Sequence, residues 1–321
     1  MNQKQQIFQN AQEVFFQESK AIQQLSQLLD ADFSQAIELI ANSNGRVIVT
    51  GIGKSANIAQ KIVSTFNSTG TPAIFMHAAD AIHGDLGIIL KDDVVLTISK
   101  SGNTPEIKVL LPLIKFRGNK IVAIVGNKES YLSQQADYVL DVTVEKEACP
   151  NNLAPTTSTT AQLVMGDAIA VCLLQLKGFS TEDFAKVHPG GALGKMLYLK
   201  AKDIISLNEK PQVEPQATIA EVIVEISSKR LGTTAVIDNQ EIVGVITDGD
   251  LRRMLQENKD YSHCLAKDIM SENPKSIEIE TLLVDALNLM RNSNITQVLV
   301  KKEEEYMGVI HLHDILKEGI L

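Results

Sequence analysis

Three segments of the chain gather hydroxyls, glycines and charged groups at spacings suited to chemistry. In SKSGNTPE, residues 99–106, Pro105 suits the first helical position and Thr104 the cap. Ser99, Ser101 and Thr104 then stand beside free backbone N–H groups and the positive end of a helix dipole, a constellation that cradles a phosphate monoester. Glu106 falls in the first turn, where the dipole alone would also favour an acid. TGIGKSAN, residues 50–57, is a glycine turn that places Lys54 and Ser55 at a helix N-terminus to meet an anion; a tight turn with a cap is the alternative reading. A Walker A loop would need Gly where the chain has Ile48. The form Gly51, Gly53, Ala56 lacks the acid that a dinucleotide's ribose requires at the next strand tip.

The third segment, KEACPNNLAPTTSTT at residues 146–160, has neither helical nor strand periodicity, and its five consecutive hydroxyl residues exceed what a cap needs. Glu147 sits there on a stiff loop near apolar surface, a setting expected to raise a carboxylate pKa toward that of a general base. Cys149 has no recognisable base nearby and reads as a packing residue. Among the histidines, His188 precedes Pro-Gly-Gly, where a sharp turn can present a side chain to a pocket. His77 and His83 lie on a loop that could seat part of a metal site, but no carboxylate or Cys cluster accompanies them. Farther on, TDGD offers Thr247 for a phosphate and Asp250 for a ribose. The corresponding stretch later in the chain has His311 and Asp314 instead.

These groups need a frame. Residues 1–43 carry apolar positions at helical spacing and read as two helices. RVIVTGIG, TPAIFMH, VVLTIS, KIVAIVG and YVLDVTV are apolar runs alternating with amphipathic stretches, and a largely apolar helix is expected from about Ser158 to Leu176. Strands apolar on both faces belong to a parallel sheet covered by helices, and in such sheets ligands bind beyond the carboxyl ends. The pattern stops near Leu199, where an internal repeat begins. Lys202–Ile205 matches Lys267–Met270, Val243–Leu251 matches Met307–Ile315, and each copy has a helix, a strand, a turn and a strand in the same order. The expected division is therefore 1–199, 200–260 and 261–321.

Composition narrows the classes. The chain has 321 residues, 44% hydrophobic and 21% charged, with 30 Lys+Arg against 39 Asp+Glu and a net charge of −9. It lacks the positive field that holds nucleic acid or an anionic membrane. Three cysteines without metal spacing fit a reducing compartment. The N-terminus is too polar for a signal peptide, and the longest apolar run, AIAVCLLQL, is short for a membrane span, so the cytoplasm is the expected address.

GIGKSAN, HGDLG, SKSGNTPE, KEACP, LAPTTSTT, MGDAIA and HPGGALG, in this order, resemble a sugar isomerase (SIS) domain, and the repeats resemble a pair of cystathionine-β-synthase-type (CBS) domains. The resemblance implies an α/β, doubly wound, flavodoxin-like sheet followed by an α+β tandem module, the arrangement of the arabinose-5-phosphate isomerases. That family interconverts D-arabinose 5-phosphate and D-ribulose 5-phosphate and feeds synthesis of Kdo, a sugar acid of lipopolysaccharide and some capsules. By motif, its catalytic positions fall on Lys54, Glu106, Glu147 and His188, with His83, Gly70 and Thr71 as substrate contacts and His77 at an inhibitory or structural zinc position. The resemblance further implies a homo-oligomer, specifically a tetramer, and pathway logic suggests a nucleotide-linked Kdo as effector at the CBS pair. The chain departs from the family's GMGKSGH with Ala56 and Asn57, and from its SNSGE with Lys100 and Asn103. Aldose–ketose exchange through an enediolate needs a base, a donor for the carbonyl oxygen and a phosphate grip, without a redox cofactor or an obligatory metal. Glu147 is the expected base and Glu106 its rival, with His188 or His83 assisting ring opening. Another phosphosugar isomerase and a non-catalytic sugar-phosphate sensor are the alternatives. A regulator would carry a basic DNA-binding segment, whereas residues 1–43 hold only Lys4 and Lys20.

Overall fold

The computed structural model describes residues 2–257 and 261–320 and divides into two compact units, Met1–Val187 and His188–Leu321. In the first, two helices, α1 (Gln3–Leu28) and α2 (Ala31–Asn42), precede the alternating pattern. It runs β1 (Val47–Gly51), α3 (Lys54–Ser68), β2 (Ala73–His77), α4 (Ala78–Ala81), β3 (Val94–Ser99), α5 (Pro105–Arg117), β4 (Ile121–Val125), α6 (Tyr131–Gln135) and β5 (Tyr138–Asp141). Helices α7 (Thr157–Leu176) and α8 (Thr181–Val187) close the unit. The strands form one parallel sheet in the order β2-β1-β3-β4-β5, the flavodoxin-like winding.

Alternation along each strand feeds two cores. Val49, Leu96 and Ile124 pack with Ile37 of α2, Ile62 and Phe66 of α3, and Ile169 of α7. On the opposite face Ile48, Val95 and Ala123 pack with Ile107, Leu110 and Ile114 of α5 and with Leu132 of α6. Because both faces are covered, β1, β3 and β4 are buried at every position. Helix α7 is long and apolar enough to cross a membrane by length and composition, beyond what the short apolar run suggested. Here its Ala161, Met165, Ile169 and Leu173 are core residues.

The second unit begins at His188, twelve residues before the expected start at 200, and Met196 and Leu199 pack on its core. It contains α9 (Ala192–Tyr198), α10 (Ala201–Ile205), β6 (Gln212–Val213), α11 (Ile219–Lys229), β7 (Thr233–Asp238), β8 (Glu241–Thr247) and α12 (Asp248–Glu257). The second copy follows as α13 (Ala266–Ile269), β9 (Ser271–Glu272), β10 (Ser276–Glu278), α14 (Leu283–Ser293), β11 (Gln297–Lys302), β12 (Glu305–His311) and α15 (Leu312–Lys317). The expected division after residue 260 lies outside the described residues.

The copies share their pairing: β6 with β7 and β10 with β11 are parallel, and β7 with β8 and β11 with β12 are antiparallel. Both hairpins carry a register shift, after Val236 and after Val300. The opening segments are exchanged. Ala201 and Ile204 of the first copy pack with Leu283 and Val298 of the second, while Ala266 of the second packs with Val222 and Val236 of the first. Backbone bonds follow suit, from Ala201 N–H to the Thr281 carbonyl and from Ala266 N–H to that of Ala217, each 2.8 Å. Leu231, Ala235, Leu299, Tyr306 and Val309 form a shared core between the sheets.

Candidate functional site

All strands of the first unit end at one rim, and its winding changes direction between β1 and β3. A cavity of about 210 Å³ opens there. Lys54 and Ser55 line it from the β1 side, Ser99, Lys100, Ser101 and Thr104 from the β3 side, and Ser158 and Gln162 from α7. The sequence-predicted phosphate groups are thus gathered into one cavity.

The β3 loop is held by its own hydroxyls. Ser99 Oγ accepts from Gly102 N–H at 3.1 Å, and Ser101 Oγ accepts from Asn103 N–H at 3.2 Å. Gly102 has φ +62°, and a Cβ there would lie 2.0 Å from Ser130 Oγ, so this tight approach requires glycine. Thr104 occupies the N-cap position, and Pro105 follows at the start of α5. Contrary to expectation the Thr104 side chain does not cap the helix; its hydroxyl lies 3.3 Å from Ser99 Oγ instead. That leaves first-turn N–H groups of α5 open to a ligand.

Glu147 is almost completely buried and bonds to Lys100 and Ser158 of this cavity, while itself bordering a second cavity of about 330 Å³ beside Glu13, Gln17 and Cys149. Its Oε1 accepts from Lys100 Nζ at 2.6 Å and from Ser158 Oγ at 2.5 Å. Its Oε2 accepts from the N–H groups of Thr156 and Ser158, at 2.9 and 3.0 Å, and from Thr156 Oγ1 at 3.3 Å. Burial alone would push its pKa up. The bonds from Lys100, Ser158 and Thr156 outweigh burial and hold it down at about 2. The expectation of a raised pKa is therefore corrected: the loop folds its hydroxyls and amides onto the carboxylate. The Thr156–Thr160 run serves this purpose in part, since Thr156 and Thr157 also accept from Ala148 N–H. Lys100, a departure from the family pattern that could strengthen the phosphate grip, lines the cavity and is the ion partner of Glu147.

Other predicted positions fall elsewhere. Glu106 is half-buried in the first turn of α5. His83 is exposed in the turn after α4. Gly70 and Thr71 precede β2 and so lie at the amino-terminal rim of the sheet, about 17 Å of strand away from the cavity rim. Gly70 is crowded by the Phe179 ring, and buried Thr71 accepts from Lys177 Nζ at 3.2 Å. They do not line this cavity. His77 ends β2, with Nδ1 3.6 Å from an Asp80 oxygen. Two donors fall short of the three or four that protein zinc sites use, and no group of three or more His, Cys, Asp or Glu occurs among the described residues. These residues do not fit a zinc ion. His188 opens the second unit, its carbonyl accepting from Gly191 N–H at 3.1 Å in the turn expected of HPGG. Gln162 was missed by sequence reading; its signal is a lone amide on the apolar face of α7.

In the second unit Thr247 and Asp250 line a cavity of about 260 Å³ together with Thr233, Arg253, Lys275 and Gln297. Asp250 accepts from Thr247 N–H and Oγ1, at 2.8 and 2.6 Å, and from Arg253 Nη2 at 2.5 Å. Burial works to raise the Asp250 pKa, but those bonds keep it below its ordinary value. In the second copy Asp314 keeps the equivalent bond, from His311 N–H at 3.2 Å, and also accepts from Asn208 Nδ2 at 2.7 Å, while His311 stacks on His313 with ring centroids 5.0 Å apart. The two halves are chemically distinct at matching positions.

Comparison with known proteins agrees with this division. The SIS-domain family matches residues 39–172, and the CBS-domain family matches residues 201–257 and 266–320. The chain is 45% identical over 306 residues to the arabinose 5-phosphate isomerase KdsD of Yersinia pestis, covering 95% of this chain and 93% of that one. It is 43% identical over 324 residues to the enzyme of the same name from Pseudomonas aeruginosa, covering 100% of this chain and 99% of the other. Among solved structures, an Escherichia coli CFT073 protein in complex with arabinose 5-phosphate is 39% identical, with a TM-score of 0.57, covering 59% of this chain and all of that one. With matches of this extent and a cavity at the winding switch of a SIS sheet, the chain belongs to the arabinose 5-phosphate isomerase family, a SIS domain joined to a CBS pair.

Proposed function

We propose that the chain interconverts D-arabinose 5-phosphate and D-ribulose 5-phosphate through an enediolate. The observation that carries this reading is the cavity that joins Lys54, Ser55, Ser101 and Thr104 at the β1/β3 rim, in a chain of this family. The hydroxyls, helix N-termini and Lys54 hold the phosphate, and this remote grip orients the reacting carbons. A base removes the C2 proton of the open-chain aldose while O1 gains a proton. The enediol then loses its O2 proton and takes one at C1, giving the ketose. No redox cofactor enters this balance.

By elimination the proton-transfer role goes to Glu106, the rival base, which does not itself line the cavity but stands in the first turn of α5, two residues after the cavity-lining Thr104. Glu147 is ionised and its lone pairs are filled by five donors, so it is a weak base that fixes the loop. On the family resemblance, Lys54 also offsets oxyanion charge, and His188 and His83 serve ring opening. Incubation with arabinose 5-phosphate in deuterated water, followed by a ketose assay and mass spectrometry, tests this. Turnover with deuterium at the exchanged carbon supports it, and Glu106→Gln should lower kcat by at least about a hundredfold. A wild type that binds the sugar phosphate without turning it over would favour the sensor reading.

We further place the activity in Kdo synthesis in the cytoplasm, a setting that suits the free Cys149, Cys172 and Cys264. A homo-oligomer, a tetramer on the family resemblance, is supported by the exposed Ile7, Phe8, Phe15 and Phe16 of α1. Light scattering after gel filtration checks it. The Thr247/Asp250 cavity is proposed to take a nucleotide-sugar effector, nucleotide-linked Kdo by pathway logic. Unchanged melting and activity in its presence would remove that assignment.

A further inference from the structure

We infer that Gln162 is a substrate-contacting residue whose side-chain amide donates a hydrogen bond to a phosphate oxygen of the bound sugar phosphate. The inference rests on the isomerase reading for the identity of the sugar, and on the cavity itself for the phosphate. Gln162 is completely buried on α7, among the apolar Ala161, Met165 and Ile169. Its Oε1 accepts from Ser55 Oγ at 3.2 Å, whereas its Nε2 is buried without any hydrogen-bond partner.

An amide with one half anchored and the other unpaired is a cost to the empty protein, since the buried donor has given up water and gained nothing. Met or Leu would fill the same space on an apolar helix face without that cost. Gln162 is also one of the residues that line the cavity holding Lys54, Ser101 and Thr104. Its anchor, Ser55, lies in the first turn of α3, where N–H groups and the helix dipole favour an anion. A phosphate oxygen accepts and the unpaired Nε2 only donates, so the two are complementary in sense. The bond adds direction to the charge supplied by Lys54.

The test compares wild type, Gln162→Met and Gln162→Glu in the full chain. Melting is followed without ligand, with inorganic phosphate and with arabinose 5-phosphate, and steady-state kinetics are measured on the sugar phosphate. Without ligand, Q162M should melt at or above wild type. It should lose most of the phosphate-induced rise, and its KM should increase about tenfold, by more than kcat falls. Q162E, which puts an acceptor where the donor was, should bind phosphate more weakly still. A Q162M protein that melts lower while keeping its phosphate response and KM would make Gln162 a structural residue and overturn the inference. A wild type stabilised by phosphate, with that response lost in Q162M but with no turnover, keeps the contact and overturns the isomerase reading. No response of wild type to either ligand overturns both.

Discussion

A carboxylate that receives five hydrogen bonds cannot also accept a proton easily, and Glu147 receives five. Its pKa lies at about 2, against 4.5 for an unperturbed glutamate. The folded protein thus binds this proton less tightly than the unfolded chain does. The resulting stability, about 3 kcal/mol, is fully present above pH 4.5 and disappears as pH falls toward 2. Acid unfolding followed by circular dichroism should therefore steepen across that window in wild type and flatten in Glu147→Gln. Lys100→Met removes one donor and should move the onset of acid unfolding to higher pH; an unmoved onset would mean that the amides of Thr156 and Ser158 suffice. The sequence pointed to Glu147 as a special group but with the wrong sign for its shift. Burial was legible from the loop's apolar context. The donors were not, because Lys100 comes from a different βα loop and the Thr156–Ser158 amides aim at Glu147 only once α7 begins.

At the scale of elements the phosphate cradle depends on the β3–α5 loop, whose shape turns on Gly102. An alanine there must hold φ near +62° and push against Ser130 Oγ at 2.0 Å and Val125 Cγ2 at 2.9 Å. Gly102→Ala should destabilise by about 2 kcal/mol or more in urea unfolding, because strain and overlap add. It should also weaken phosphate binding. Combining it with Ser130→Gly removes the overlap with Ser130 but leaves the contact with Val125 and the strain, and should recover only part of the loss. Strands and helices were readable, since runs such as VVLTIS and KIVAIVG are buried on both faces and nothing but a covered parallel sheet accommodates them. Two finer expectations are not met within the single chain, for separate reasons. Thr104 holds the cap position but spends its hydroxyl toward Ser99, a choice set by the loop's tertiary shape. Gly70 and Thr71 were carried over as a motif without regard to strand direction. A segment just before a parallel strand lies at the amino rim, opposite the cavity of the same chain.

For the whole molecule, the tandem module shows how far a repeat can be read and where reading stops. Matching residues gave the two copies and their order, and both hairpins shift register at equivalent places, Val236 and Val300. Self-similarity says which residues correspond, but not on which copy a segment docks. Here each opening segment docks on the other copy: Ile204 with Leu283 and Val298, and Ala266 with Val222 and Val236. The module should consequently unfold as one cooperative unit and not as two. Ile204→Ala removes a buried side chain and should cost about 2–4 kcal/mol. In amide exchange read by mass spectrometry, the loss of protection should be as large in β11 and β12 as in β7 and β8, although Ile204 precedes the first copy's strands. A chain ended after residue 257 lacks Ala266 and the rest of the second copy. Its β7 and β8 should then exchange freely, while β1 to β5 of the first unit keep their protection. Persistent protection of β7 and β8 in that truncated chain would mean that Val222, Ile226, Val236 and Ile246 make a core without the exchanged segment, and the copies would then be independent folding units.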